Sequence, residues 1–181
     1  MPTLPPPVKL NPVRKLSHYG KRGEVQMVDV SAKSVTSRSA KAQSFVKMKP
    51  AVLRAVRQLK NPKGNPLEVA RIAGISAAKR TAEWIPLCHP LPLTHIDVTA
   101  RLCKNGVEIR SHVVATAQTG VEMEALVAVT AAALTVYDMC KALDKGIEIS
   151  DVFLLEKTGG KSGDFRRIAV RKITSAARRK R

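Results

Sequence analysis

Aromatic side chains are scarce in this chain: three Phe, two Tyr and one Trp, 3% of 181 residues. Modules that read single-stranded RNA stack bases on aromatic side chains, so the scarcity weighs against such a reader. Hydrophobic residues still make up 44%. The core must therefore be built from Ala, Val, Leu and Ile. A core of small residues brings helices and sheet close together, and it often draws further burial from an oligomer interface. Cysteine is also sparse. Cys88, Cys103 and Cys140 are odd in number and widely spaced, which fits neither a disulfide framework nor a zinc site. No run of 18 apolar residues is present, so no membrane span is expected. The opening MPTLPPPVKLNPVRK lacks the apolar segment of a secretory signal. The expected location is the reducing cytoplasm.

Acidic residues are missing from both ends. Residues 1–22 carry Lys9, Arg14, Lys15, Lys21 and Arg22 without an acid, and residues 166–181 carry eight basic residues without an acid. Most of the net charge of +18 thus lies outside 23–165. The division expected is a basic, Pro-rich lead-in over 1–22, one catalytic domain over 23–165, and a basic tail over 166–181. Charged tails of this kind are usually solvated, and nucleic acid is not the expected partner.

From Glu24 onward the pattern is that of a folded domain. VQMVDVSA (25–32) reads as a short leading strand, and TSRSAKAQSFVKM (36–48) alternates as a half-buried strand does. Pro50 stands where a helix begins, followed by helical spacing over 51–60. NPKGNP (61–66) is turn chemistry, and a second helix is predicted over 67–85. The runs 94–104 and 107–118 flank Asn105-Gly106, a pair that favours a two-residue hairpin turn. A long Ala-rich helix is predicted over 119–145, with Thr119 as N-cap, Glu122 at capping-box spacing and Gly146 as the stop. A strand over 147–157 closes the domain. Apart from the leading strand and the first short helix, the order is β-α-β-β-α-β. It predicts an α+β fold of the ferredoxin-like, split β-α-β type, an antiparallel sheet with helices on one face.

Three stretches hold more polar groups than a core or a plain surface needs. Asp138 and Lys141 are i, i+3 neighbours on a helix, where a carboxylate tunes an ammonium group for proton transfer. The same spacing describes an ordinary surface ion pair. His89 sits between prolines in IPLCHPL, and Cys88 beside it reads better as an inert thiol than as a nucleophile. KTGGKSGDF (157–165) is not a Walker A loop, since Leu155 occupies the position of the first required glycine. Its glycines nonetheless let backbone N–H groups approach an anion, and Lys157 and Lys161 add charge. With Lys63 and Lys79 the set suits a small, highly anionic molecule undergoing proton transfer. A nucleoside triphosphate fits it better than a duplex.

Five blocks then carry a family resemblance: MVDVSAK (27–33), ARIAGISAAKRTAEWIPLCHPL (70–91), TGVEMEAL (119–126), LTVYDMCKA (134–142) and KTGGKSGDF (157–165). Together they resemble the signature of the MoaC-type cyclic pyranopterin monophosphate synthases, in family order across residues 24–166. The resemblance implies conversion of (8S)-3',8-cyclo-7,8-dihydroguanosine 5'-triphosphate to cyclic pyranopterin monophosphate and pyrophosphate, in molybdenum-cofactor biosynthesis. It implies a lyase that uses acid–base and electrostatic catalysis and no metal or redox cofactor. By matching motif, Asp138, Lys141 and Lys63 would be catalytic. Leu87, Cys88, His89, Met123, Glu124 and Glu122 would line the substrate pocket, and Lys157 and Lys161 would hold phosphates. It also implies a hexamer built as a trimer of dimers, with the site at a dimer interface.

Overall fold

A computed structural model of the protein describes residues 18, 22–58 and 64–168. Lys63 therefore lies outside the described residues, as do most of the lead-in and the tail. The elements are β1 (Thr36–Lys47), α1 (Pro50–Arg57), α2 (Pro66–Ala78), α3 (Thr81–Trp84), β2 (Leu93–Cys103), β3 (Gly106–Ala117), α4 (Glu122–Cys140), β4 (Glu148–Thr158) and β5 (Phe165–Arg166).

The fold is α+β, as the element order implied. One five-stranded sheet runs β2-β3-β1-β4-β5, with every neighbouring pair antiparallel. The β1–β3 ladder is unbroken from Thr36 opposite Ala117 to Lys47 opposite Gly106. The β1–β4 ladder shifts register twice, and within its second shift Asp151 of β4 takes a φ of 53°. Short polar side chains such as Asp tolerate that left-handed conformation best after Gly.

Strand alternation builds the core. Ala40, Ala42 and Val46 of β1 face the same side as Val107, Ile109, Val113 and Ala115 of β3, and all are fully buried. Against them pack Ala125, Ala128, Val129, Ala132 and Val136 of α4. Two buried hydroxyls tie that helix to the sheet. Ser44 Oγ donates to the Val129 carbonyl at 3.0 Å, and Ser111 Oγ donates to the Ala125 carbonyl at 2.8 Å. Small residues also let α2 lie hard against α4: a Cβ on Gly74 would come within 2.8 Å of the Ala128 carbonyl oxygen. By length and composition α4 is apolar enough to cross a bilayer, yet eleven of its residues are buried, which marks a core helix.

Several local expectations are corrected. Residues 25–32 form no strand: apart from a single bridge at Val25, the segment is irregular. Asp29 Oδ1 takes the N–H of Ser31 at 2.8 Å and its hydroxyl at 2.6 Å, and this local bonding turns the chain where a strand would run on. The helix predicted over 67–85 divides into α2 and α3 at Lys79-Arg80, where the Thr81 hydroxyl donates to the Ala78 carbonyl at 3.0 Å. Thr119 does not cap α4. Val121 is the N-cap, without a side-chain bond, and the helix ends at Cys140, ahead of Gly146. The hairpin loop is Lys104-Asn105, and Gly106 opens β3 without a positive φ. Gly106 is needed there for space, because a Cβ would overlap the Val46 carbonyl oxygen.

Candidate active site

The N-terminus of α4, the loop after α3, the start of β1, the end of β4 and the segment before β1 enclose a cleft of about 1030 Å³. Eight of the predicted site residues line it: Leu87, Cys88, His89, Glu122, Met123, Glu124, Lys157 and Lys161. Each arrives there for a local reason. Pro86 and Pro90 bracket the Cys88-His89 loop, and the Cys88 N–H bonds back to the Ile85 carbonyl at 3.0 Å. Lys157 reaches across from β4 to Glu122, with Nζ 3.1 Å from Oε1. Gly120 leaves room for the Glu122 carboxylate, which a Cβ there would displace.

Strand parity adds a residue that motif reading passed over. Arg38 shares the inward parity of Ala40 and Ala42, but it lies at the strand end, where the core opens into the cleft. Its Nη2 donates to the Gln118 carbonyl at 3.3 Å, while its buried Nε finds no partner among the described residues. The guanidinium rests in space left by Gly160, whose φ of 85° and missing Cβ keep the position clear. The buried Thr36 hydroxyl is likewise unpartnered. The cleft thus holds donors without acceptors beside Lys33, Lys157 and Lys161. Such a set receives a polyanion.

The same cleft is lined by an acid of different character. Glu124 is only 3% exposed, and its Oε2 finds no partner among the described residues. Burial pushes its carboxyl up to about 7, its own backbone N–H opposes the rise, and the Glu122 charge adds to it. The same burial, with the Glu124 charge, pushes the Cys88 thiol up and away from thiolate chemistry. Asp29, near the rim, is held below the usual carboxylate range by the Ser31 hydroxyl and N–H, with His89 and Lys33 adding to the effect.

Asp138 and Lys141 lie elsewhere. They pair at 2.7 Å at the far end of α4, both about half exposed, and the hydrogen bond to Asp138 raises the Lys141 ammonium. Sixteen residues of helix separate Asp138 from Glu122, about 24 Å along the axis. Asp138 lines a shallower cleft of about 400 Å³ with Arg80, Trp84 and Leu134. Lys79 caps the C-terminus of α2, is exposed and lines neither cleft.

The profile of the MoaC family matches residues 27–160, a span that includes the smaller cleft and most of the lining of the larger one. The cyclic pyranopterin monophosphate synthase of Parvibaculum lavamentivorans is 54% identical over 155 residues, covering 84% of this chain and 97% of that protein. The chain belongs to the MoaC family. Two further MoaC-like relatives are similar at the same level. The cyclic pyranopterin monophosphate synthase of Thermomicrobium roseum is 52% identical, covering 84% of this chain and 93% of that protein. Cyclic pyranopterin monophosphate synthase 1 of Mycobacterium tuberculosis is 53% identical, covering 85% and 91%.

For this MoaC-family chain, the residues missed in the sequence were Arg38, Thr36, Lys33 and Asp29. Asp29 and Lys33 stand within the MVDVSAK block and were legible there. Arg38 and Thr36 belong to no block. Their one signal was an inward-facing Arg in the same register as two buried alanines.

Proposed function

We propose that this chain is a cyclic pyranopterin monophosphate synthase, a phosphorus–oxygen lyase of molybdenum-cofactor biosynthesis. Its substrate would be (8S)-3',8-cyclo-7,8-dihydroguanosine 5'-triphosphate, and its products cyclic pyranopterin monophosphate and pyrophosphate. The observation that carries the reading is the lining of the large cleft. Arg38, Lys157 and Lys161 offer donors for a triphosphate. The buried Glu124 and the half-buried Leu87–His89 loop line the same cleft and offer surface for a ring. The same words stand in the names of relatives more than half identical.

In this reading the reaction opens a five-membered ring, closes a pyranopterin and exchanges the pyrophosphate bond for an internal phosphate ester. The ring bonds to carbon break and form with proton transfer to and from the departing and attacking atoms, and the cyclic phosphate closes by displacement of pyrophosphate at phosphorus, so positioned acids, bases and cations suffice. Lys63, Asp138 and Lys141 are the proposed catalytic groups, the two lysines serving as proton donor and acceptor and Asp138 holding Lys141 charged. Lys157 and Lys161 bind phosphates, with Arg38 added to them. Leu87, Cys88, His89, Met123, Glu122 and Glu124 shape the pocket.

The 24 Å or so between Glu122 and Asp138 supports a shared site. A second copy would bring its Asp138 and Lys141 to the first copy's cleft, in a dimer that assembles further into a hexamer. Trp84, 51% exposed, and Leu134, 49% exposed, flank Asp138 and offer apolar surface for such a contact. The cytoplasm is the proposed location. The test is a coupled assay with the product of the radical GTP cyclase. Formation of cyclic pyranopterin monophosphate with pyrophosphate is expected. Neither product from a folded oligomer given active cyclase product would overturn the reading.

A further inference from the structure

The face of the sheet turned away from the helices carries a polar row that crosses all five strands. Ala40 and Ala42 of β1 point into the core, so Lys41 between them points out. Its partners in register are His112 on β3 and Glu156 on β4. His112 in turn stands opposite Asp97 on β2, and Glu156 opposite Arg166 on β5. Lys41 is already engaged, because its ammonium pairs with Glu156. His95, two residues before Asp97, joins the row diagonally. Its ring centre lies 5.5 Å from that of His112, with the planes at 65°. His95 is exposed and His112 half-buried, and neither lines the two clefts.

That spacing matches two imidazoles that share a metal ion. A Zn–N bond of about 2.1 Å places the ring centre about 3.2 Å from the metal. At a tetrahedral angle two such centres stand about 5.2 Å apart. Neighbours on one face of an antiparallel pair come within this reach without any change of backbone. His112 is also kept in the form that ligates. Burial pushes its imidazole down, the Lys41 and His95 charges add to the fall, and Glu156 and Asp97 oppose it. A neutral imidazole offers a lone pair, and an imidazolium does not. Asp97, directly opposite His112, supplies negative charge beside the pair.

We propose that His95 and His112 together bind a divalent metal ion of the nickel, copper and zinc group between β2 and β3, apart from the catalytic clefts. Imidazole nitrogen suits these ions, whereas calcium and magnesium prefer oxygen. Among the described residues no three His, Cys, Asp or Glu side chains are placed to hold a metal together. The site is therefore an open one with two protein ligands, and water completes the shell. Strand β2 is the edge of the sheet. A metal bridge ties that edge to β3 and stabilises the folded state by binding it alone. The dimer contact proposed around Trp84, Leu134 and Asp138 lies on the helix side of the sheet and leaves this face clear of it. The metal site holds whatever ligand the large cleft takes.

The test is a calorimetric titration of the assembled, full-length protein with Zn2+ alone at pH 7.5, repeated with His95→Gln and with His112→Gln. Affinity for one Zn2+ per chain should fall about tenfold or more in each variant, since even the outer-shell partners of metal ligands are worth that much. Zn2+ should also raise the melting temperature of wild type and leave that of either variant unmoved. At pH 5.5, where imidazoles take up protons, the wild type should lose the same binding. Equal affinity in all three proteins would assign the metal to another site, such as Cys88 and His89, and overturn the proposal. Absence of binding by folded wild type would overturn it too, and is the result expected if another copy covers this face. His95 is exposed, so His95→Gln decides alone if His112→Gln does not fold.

Discussion

Depth and the Lys157 ion pair separate Glu124 from Glu122, and depth has a measurable consequence for stability. The folded state holds the Glu124 proton up to about pH 7, against an ordinary value of 4.5. Below pH 4.5 both folded and unfolded chains carry the neutral acid, and the fold bears no cost. Above about pH 7 both are ionised, and the fold carries the whole cost of a buried charge, at most ~3 kcal/mol. The contribution present at low pH is therefore lost as pH rises between these values. Urea midpoints of wild type should fall between pH 5 and pH 8 relative to those of Glu124→Gln. A constant difference between the two proteins across that range would mean that the group does not titrate there. Glycines give a second residue-scale prediction. Gly160→Ala should displace the Arg38 guanidinium and raise KM for the triphosphate substrate by about tenfold, the loss of one charge-assisted hydrogen bond. Gly163 is the control. It has a φ of 69° with open space around its missing Cβ, so Gly163→Ala carries the same backbone strain and displaces nothing. Equal effects of the two substitutions would remove Arg38 from the explanation.

At the scale of elements, the α2–α4 contact positions the cleft, because α4 carries Glu122, Met123 and Glu124 at its start. Gly74 sets how closely α2 approaches. In an exposed helix, Gly→Ala gains about 1 kcal/mol from propensity. Here the new Cβ meets the Ala128 carbonyl oxygen and Val98, and a backbone atom cannot swing aside. Overpacking of this kind costs about 1–3 kcal/mol, so the clash should win. Gly74→Ala is expected to lower the denaturant midpoint, and a raised midpoint would show that α2 shifts freely. The same logic explains the hairpin. Asn105-Gly106 suggested a turn with positive φ, yet Gly106 is required by the neighbouring strand rather than by its own backbone angle. Local turn statistics hold no record of what lies across a sheet.

For the whole molecule, the distance along α4 is decisive. One chain does not bring Asp138 and Lys141 to the large cleft, so mixed oligomers provide a direct test. Arg38→Ala and Lys141→Ala chains should each be nearly inactive alone. Co-assembled at random, they should regain about a quarter of wild-type activity if every site draws its cleft from one copy and its pair from the other. No recovery would return both sets to a single chain. The ends of the chain offer another test. Arg167 is held by β4: its N–H bonds to the Leu155 carbonyl at 2.8 Å, and its guanidinium lies 4.5 Å from the Phe153 ring centre. Removal of residues 1–17 and 169–181 should leave turnover within about twofold, a change under 1 kcal/mol in barrier. Loss of activity would assign the basic ends to the catalytic unit.

The sequence by itself determined the α+β order, the family, the main helices and strands, and eight of the residues around the large cleft. Those features are written in short-range patterns: alternation for strands, helical spacing, Pro and Gly punctuation, and five compact blocks. Only the tertiary structure decided the rest. Local hydrogen bonds made at Asp29 ended a strand that its composition favoured. Parity across a sheet turned Arg38 inward, and a glycine far along the chain made room for it. Burial gave two nearby glutamates opposite environments. A straight helix put Asp138 and Lys141 beyond reach of Glu122, although all three belong to one predicted site. Each outcome depends on what packs against a residue from a distant part of the chain, which periodicity and spacing do not encode.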